Sequence, residues 1–177
     1  MLFRSSPEFA QYLGINGVIK GGEAIMYTYA GITAGDFLCG LLSQLLKSRK
    51  RAVLIFLLIT GIGTTMFFTA TGNTADYLYL TMFVMGVGTG FWAVIVTNAA
   101  EQFGTNIRGT VATTVPNFIR GSLPIISLFY ALLQFQFSKI LSAEILAAII
   151  LSISLWALYH TEETYGKDLD FIETQVA

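Results

Sequence analysis

Charged residues are scarce in this chain. Asp, Glu, Lys and Arg make up 12% of its 177 residues, against roughly 25% in a soluble globular domain. Hydrophobic residues account for 54%, so the polar side chains are too few to cover a surface that faces only water. The composition excludes an ordinary soluble domain and indicates that lipid solvates part of the protein.

Cysteine, histidine and net charge are also scarce. Cys39 is the single cysteine and His160 the single histidine, which leaves no disulfide within the chain and no metal-binding spacing. A formal net charge of −1, without a basic stripe carrying interleaved aromatic residues, gives no support for a nucleic-acid partner. The sequence has no paired catalytic carboxylates and no Ser/His/Asp set. We therefore expect no enzyme activity, no metal and no cofactor.

The feature around which the chain is organised is an uncharged run over 52–71, AVLIFLLITGIGTTMFFTAT. A helix of about twenty residues is roughly 30 Å long, the thickness of the hydrocarbon core of a bilayer. A basic cluster comes immediately before it, formed by Lys47, Arg49, Lys50 and Arg51. Because such loops stay on the cytoplasmic side, this stretch predicts both a membrane span and its orientation.

Counting outward from that run predicts an all-α protein, a polytopic transmembrane bundle of five helices within 23–160. The predicted helices cover about 23–46, 52–71, 77–98, 109–135 and 141–159. Residues 1–22 are predicted as an extracytoplasmic loop or interfacial segment, and 161–177 as a cytoplasmic tail. This topology puts six Lys and Arg residues inside and three outside, as the positive-inside rule requires. We expect a multi-pass protein of the cell (inner or plasma) membrane with the lipid bilayer around it.

Two charges fall near the middle of predicted spans, Asp36 in the first and Arg120 in the fourth. An unpaired ion at that depth costs several kcal/mol, so both side chains are expected to face protein or water. One interpretation makes them parts of a substrate or proton pathway. The other pairs each of them with a neighbouring helix as a fixed ion pair or hydrogen bond.

The fourth predicted helix contains two prolines, Pro116 and Pro124, with Asn117 three residues before Arg120. Proline removes a backbone donor, and broken backbone at membrane depth usually lines a cavity. The polar residues beside these breaks indicate a pathway, and the alternative is a helix that is merely kinked.

Glycine spacing in the third predicted helix points to close packing. Gly86, Gly88 and Gly90 lack the preceding strand that a dinucleotide-binding loop requires. Gly86 and Gly90 instead have the GxxxG spacing that lets helices approach closely. Trp92 follows directly, and either stacking on a ligand or packing would suit it.

Four stretches resemble signatures of the major facilitator superfamily. EQFGTNIR (101–108) resembles the E-x-F-P-T-x-x-R-G signature after the tenth helix of that family, and NFIRGSLP (117–124) resembles its eleventh-helix stretch. GLLSQLLKSRKR (40–51) resembles the G-x-x-x-D-R-x-G-R-R loop between helices eight and nine, except that Ser43–Gln44 replaces the aspartate-based pair. HTEETYGKDLDFIE (160–173) is similar to the E-T-x-G-x-x-L-x-x-x-E tail of sugar-porter-like members.

The resemblance implies that the five helices correspond to helices eight to twelve of a twelve-helix transporter. The fold would then be a major facilitator-like C-terminal half that lacks its first helix. The missing N-terminal half, in the same or a separate chain, would be its partner. The resemblance also assigns candidate sites. Substrate-cavity candidates are Asn98, Asn117, Arg120 and Trp92, with Asp36 also in the cavity, and candidates for gating or charge relay are Glu101, Arg108, Arg49 and Lys50.

Two hypotheses about function follow. The first is a secondary active transporter, coupled to protons through Asp36, that moves small hydrophilic organic solutes such as sugars or related metabolites and is present here as a C-terminal fragment. The second is a non-transporting membrane subunit or an inactive truncated remnant, since five helices alone cannot enclose a cavity between two bundles. About seven further apolar segments encoded upstream would favour the first.

Overall fold

A computed structural model describes residues 6–170 and residue 172 of the chain. These residues form an all-α fold with no β-strand among them. The helices are α1 (Ser6–Tyr12), α2 (Gly21–Leu45), α3 (Arg49–Phe68), α4 (Ala75–Thr89), α5 (Trp92–Glu101), α6 (Thr105–Gly121), α7 (Leu123–Leu133) and α8 (Lys139–His160). The ends of the predicted loop 1–22 and tail 161–177, at 1–5, 171 and 173–177, lie outside the described residues.

Five segments are long and apolar enough to cross a membrane, and they match the predicted spans in number and order. They are Gly21–Leu45, Arg49–Phe68, Ala75–Glu101, Thr105–Leu133 and Lys139–His160. The third contains α4 and α5, and the fourth contains α6 and α7. A helical membrane protein is therefore the fold class that the chain supports.

The second span begins at Arg49, earlier than the predicted Ala52. Ser48 has extended backbone dihedrals, and its hydroxyl accepts a hydrogen bond from the Arg51 N–H at 3.1 Å. This contact is an N-cap, which satisfies one of the free donors of the first turn. Arg49, Lys50 and Arg51 consequently belong to the helix, whereas Lys47 stays in the loop before it.

The third span is broken, which the continuous helix predicted over 77–98 did not anticipate. Helix α4 ends at Thr89 and α5 begins at Trp92, with Gly90 and Phe91 between them. A Cβ placed on Gly90 would lie 2.5 Å from the backbone N of Asp36. The third span is therefore interrupted at a point of close contact with the backbone of α2, and only glycine fits there.

The fourth span breaks at one place rather than at both prolines. Helix α6 continues through Pro116 as far as Gly121, and Ser122 separates it from α7. Pro124 is the second residue of α7, where a missing N–H loses no intrahelical bond. The predicted interruption at Pro116 is absent, and the break beside Pro124 is present.

Glycines allow α2 and α4 to pack backbone against backbone. A Cβ on Gly31 would lie 2.3 Å from the carbonyl O of Phe83, and one on Gly86 would lie 2.3 Å from that of Thr28. Similarly close backbone contacts surround Gly35 and Gly90 at the same interface, and Gly88 and Gly63 between α4 and α3. The close packing predicted from the GxxxG spacing is confirmed.

Buried residues are confined to one part of the bundle. Two apolar clusters fill it, one around Phe67, Leu78 and Met82 and the other around Phe56 and Val94. Helices α6 and α7 contain no buried residue. Much of the surface of these two helices is therefore left uncovered by the described chain.

Candidate functional site

The first candidate site lies at the break between α4 and α5. The Asp36 carboxylate, on α2, accepts a hydrogen bond from the Ala93 N–H at 3.3 Å. Ala93 belongs to the first turn of α5, where backbone N–H groups lack intrahelical partners and the helix dipole favours a negative charge. The half-buried Asp36 side chain accepts one of these hydrogen bonds. It is therefore a cap for α5 that a neighbouring helix supplies.

A cleft of about 530 Å³ connects this break to the basic end of the bundle. Its walls come from α2, α5 and the first turn of α3, and its lining residues include Asp36, Gly40, Gln44, Arg49, Ala93 and Thr97. Two of the predicted site residues, Asp36 and Arg49, therefore share one cleft.

Arg120 and Trp92 are in contact on the other side of α5. The Arg120 guanidinium carbon lies 6.0 Å from the centre of the Trp92 ring, within the range of a cation–π interaction. No ion pair joins Arg120 to Asp36, and both are described residues. The two charges that the sequence predicts near the middle of spans are thus both placed at the start of α5, each with its own partner.

A polar stripe runs along α6. Thr110, Thr113, Asn117 and Arg120 are three or four residues apart, which puts them on one helix face, and all four are exposed. The Asn117 amide donates to the Thr113 carbonyl at 3.1 Å, which leaves its oxygen free to accept another hydrogen bond. The Thr113 hydroxyl donates to backbone carbonyls of its own helix. Lipid solvates an exposed amide and an exposed guanidinium poorly, so we expect water or another protein surface to face Asn117 and Arg120.

The second candidate site is a group of polar residues at the opposite end of α5, here called the tail cluster: Ser43, Arg49, Asn98, Glu101, Glu163 and Thr164. Its centre is an ion pair in which Arg49 Nη2 lies 3.1 Å from Glu101 Oε1. Both side chains are largely buried, 15% and 12% exposed. Arg49 also donates to the Ser43 hydroxyl at 3.0 Å.

Thr164 connects the tail to this ion pair. Its hydroxyl donates to Glu101 Oε2 at 2.6 Å and accepts from the Asn98 amide at 2.9 Å. Thr164 is 1% exposed, so each of these hydrogen bonds satisfies a group that water cannot reach. The tail is therefore built into the bundle at this point.

Glu163 caps helix α3. Its carboxylate accepts from the Ser48 hydroxyl, from the Arg49 N–H at 2.8 Å and from the Lys50 N–H at 3.3 Å. Burial raises the pKa of Glu163, but the hydrogen bonds from Ser48 and from backbone N–H groups outweigh it and leave this pKa below its ordinary value. The ionised carboxylate is thus held at the positive end of α3.

Arg108 and Lys50 donate hydrogen bonds to backbone carbonyls of the tail and of the last turn of α8. Arg108 Nη2 donates to the Leu169 carbonyl at 2.7 Å, and Lys50 Nζ donates to the Tyr159 carbonyl at 3.1 Å. The polar segments around 47–51, 101–108 and 161–170 consequently meet at one end of the bundle, the arrangement that charge counting predicts.

The predicted site residues divide between the two sites. Asp36, Trp92, Asn117 and Arg120 lie along the start of α5 and the stripe of α6, whereas Asn98 belongs to the tail cluster with Arg49 and Glu101. Sequence reasoning did not single out Ser43, Glu163 or Thr164, although the Glu-Thr pair in the tail motif and the Ser43 substitution were signals for them. Within 6–170 and 172, no group of His, Cys, Asp and Glu is arranged to hold a metal ion.

No family model, no curated protein and no solved structure matches this chain.

Proposed function

We propose that this chain forms part of a secondary active transporter, coupled to protons, for small hydrophilic organic solutes such as sugars or related metabolites. The observation that carries the proposal is the uncovered polar stripe of α6, Thr110, Thr113, Asn117 and Arg120, within a segment apolar enough to cross a membrane. A water-filled solute pathway is an environment in which such a stripe is stable.

The broken third span supports the same proposal. Discontinuous helices in transporters direct the N-terminus of a half-helix at a midplane site. Here the N-terminus of α5 faces the Asp36 carboxylate, and Trp92 at its first position contacts Arg120. A carboxylate, a guanidinium and an indole around one helix start are suited to bind hydroxyl and carboxylate groups of a polar solute.

In this mechanism, a second helical bundle completes the pathway against the stripe of α6, whether it belongs to the same polypeptide or to a separate chain. Protonation of Asp36 would weaken its bond to the Ala93 N–H and free the start of α5. The tail cluster would hold the cytoplasmic ends of α2, α3 and α5 together while the pathway is open on the other side.

A test of the pathway is cysteine accessibility. In a Cys39→Ser background, Asn117→Cys and Thr113→Cys in membranes are expected to react with a membrane-impermeant, charged thiol reagent. The matched control is Phe118→Cys, next to Asn117 and 76% exposed, which is expected to face lipid and to react far more slowly. Equal inertness of all three variants would exclude a water-filled path along α6.

A non-transporting membrane subunit is the second candidate. The exposed sides of α6 and α7 favour it equally, because a permanent protein partner would cover them as well as a solute pathway would. In that case Asn117→Cys is expected to become reactive only when the partner chain is removed, whereas a transport pathway stays reactive in the complete assembly.

A further inference from the structure

A groove between α3 and α8 lies beside the tail cluster and shares only Glu163 with it. It encloses about 660 Å³ and has two kinds of wall. Its rim is polar, with Lys47, Ser48, Lys50, Arg51 and Glu163, and its floor is apolar, with Leu54, Leu155, Leu158 and Tyr159.

The rim carries an excess of positive charge. Three cations against one carboxylate leave a formal charge of +2. None of Lys47, Lys50 and Arg51 forms an ion pair with a carboxylate of the described residues. Glu163 accepts hydrogen bonds from the Ser48 hydroxyl and the backbone of α3 rather than from the side chains of these cations.

The groove continues toward the bilayer centre as an apolar slot along the same two helices. This second cavity, of about 460 Å³, shares Leu155 with the first and is lined by Leu57, Leu58, Gly61, Ile62, Thr65, Met66, Thr69, Leu151 and Leu155. Gly61 leaves the slot open, since the nearest atom to a Cβ built there is the Leu151 Cδ1 at 3.8 Å. A cationic rim at the membrane surface thus leads directly into an apolar channel.

We propose that this groove is a binding site for an anionic phospholipid. The headgroup phosphate lies among Lys47, Lys50 and Arg51, and an acyl chain follows the slot past Leu155 and Gly61. Basic residues beside a membrane surface attract anionic lipids, with a contribution of about fivefold in binding for each cation. A zwitterionic lipid lacks the net charge that the rim selects, and a soluble anion would leave the apolar slot unused.

Trp156 provides a reporter for the test. It follows Leu155 on α8, is 66% exposed, and is one of two tryptophans in the chain. The Trp92→Phe protein is reconstituted into phosphatidylcholine vesicles that contain a fraction of brominated lipid. In one sample the brominated lipid is phosphatidylglycerol, and in the other it is phosphatidylcholine. At equal mole fraction, brominated phosphatidylglycerol is expected to quench Trp156 fluorescence more strongly. Equal quenching by the two lipids would overturn the proposal. This comparison requires no substitution in the groove.

The charge variant is Lys47→Gln combined with Arg51→Gln, which is expected to bring the preference for phosphatidylglycerol to about one, because two cations of the rim are lost. The matched control, Lys20→Gln with Lys139→Gln, removes the same charge at the other end of the bundle and is expected to keep the preference. The proposed site would be wrong if the preference for phosphatidylglycerol persisted in the charge variant. It would also be wrong if the control variant lost that preference.

A third arm distinguishes lipid from free anion. Inorganic phosphate is added to the Trp92→Phe protein in phosphatidylglycerol vesicles and compared with chloride at the same ionic strength. The preference is expected to be equal in the two salts. Its selective loss in phosphate would assign the rim to a soluble anion and overturn the lipid proposal.

Discussion

The Asp36 carboxylate lies 3.3 Å from the backbone N of Ala93 and accepts its hydrogen bond. The donor is in the first turn of α5, directly after the break in the third span, and the acceptor is on α2. In the proposed function this side chain has two roles, as a cap for the start of α5 and as a group that exchanges a proton, because a protonated carboxyl is a weaker acceptor for an N–H group.

Two substitutions at Asp36 separate these roles. Asp36→Asn keeps an oxygen acceptor for the Ala93 N–H but cannot exchange a proton, whereas Asp36→Ala removes both functions. Asn and Asp are comparable caps, and Ala costs about 1 kcal/mol. If the proposed function is correct, Asp36→Asn in the complete assembly is expected to abolish uphill uptake, to leave solute exchange, and to unfold at nearly the wild-type temperature. Normal concentrative uptake by this variant would rule out the coupling role.

The packing of α2 against α4 predicts that alanine substitutions at two glycines of α2 have opposite effects on stability. A Cβ on Gly31 meets the Phe83 carbonyl O at 2.3 Å, while one on Gly40 meets nothing within 4 Å. Gly31→Ala is therefore expected to destabilise the bundle by about 1–3 kcal/mol. Gly40→Ala, the matched control, is expected to stabilise it by about 0.5–1 kcal/mol, because alanine is the better helix former. Unfolding in detergent measures both, and equal effects would contradict the packing described.

Thr164 offers a test of how firmly the tail is attached. Thr164→Val keeps the shape of the side chain but removes the hydroxyl between Glu101 and Asn98. Leaving these buried groups unsatisfied is expected to cost about 1–3 kcal/mol and to make the tail more susceptible to limited proteolysis. Thr164→Ser restores the hydroxyl and is expected to recover most of the lost stability. Wild-type protease resistance in Thr164→Val would show that this hydroxyl does not hold the tail.

The lowered pKa of Glu163 predicts that the folded protein loses stability in acid. Its folded-state pKa lies below the ordinary value of 4.5, so the folded state binds the proton less readily than the unfolded state does. Its stabilising contribution is complete above pH 4.5 and is lost as the pH falls through the lower, folded-state pKa. Thermal unfolding of the wild type against pH is expected to show a decline in that window that Glu163→Gln lacks. Parallel pH profiles for the two proteins would contradict this assignment.

Local patterns were sufficient for the helices and for some of their packing. The spans followed from apolar runs of bilayer length, because backbone groups in lipid must be satisfied within a helix. Close packing of the third span followed from Gly86 and Gly90, since the absence of a side chain has the same consequence wherever two helices meet. That its neighbour is α2 did not follow from this spacing. The Ser48 cap is a local contact with Arg51 and was not anticipated. The break at Gly90 was not anticipated either, because it lies against the backbone of Gly35 and Asp36 on another helix.

The sequence by itself determined that this is an all-α protein with five apolar segments able to cross a membrane, because length and hydropathy are properties of each segment alone. Only the tertiary structure decided the partners: that Asp36 caps α5, that Arg120 meets Trp92, and that Asn98 joins Thr164 in the tail cluster. These side chains are separated by 28 to 66 residues along the chain. Their contacts are set by how the helices pack, which no local pattern contains.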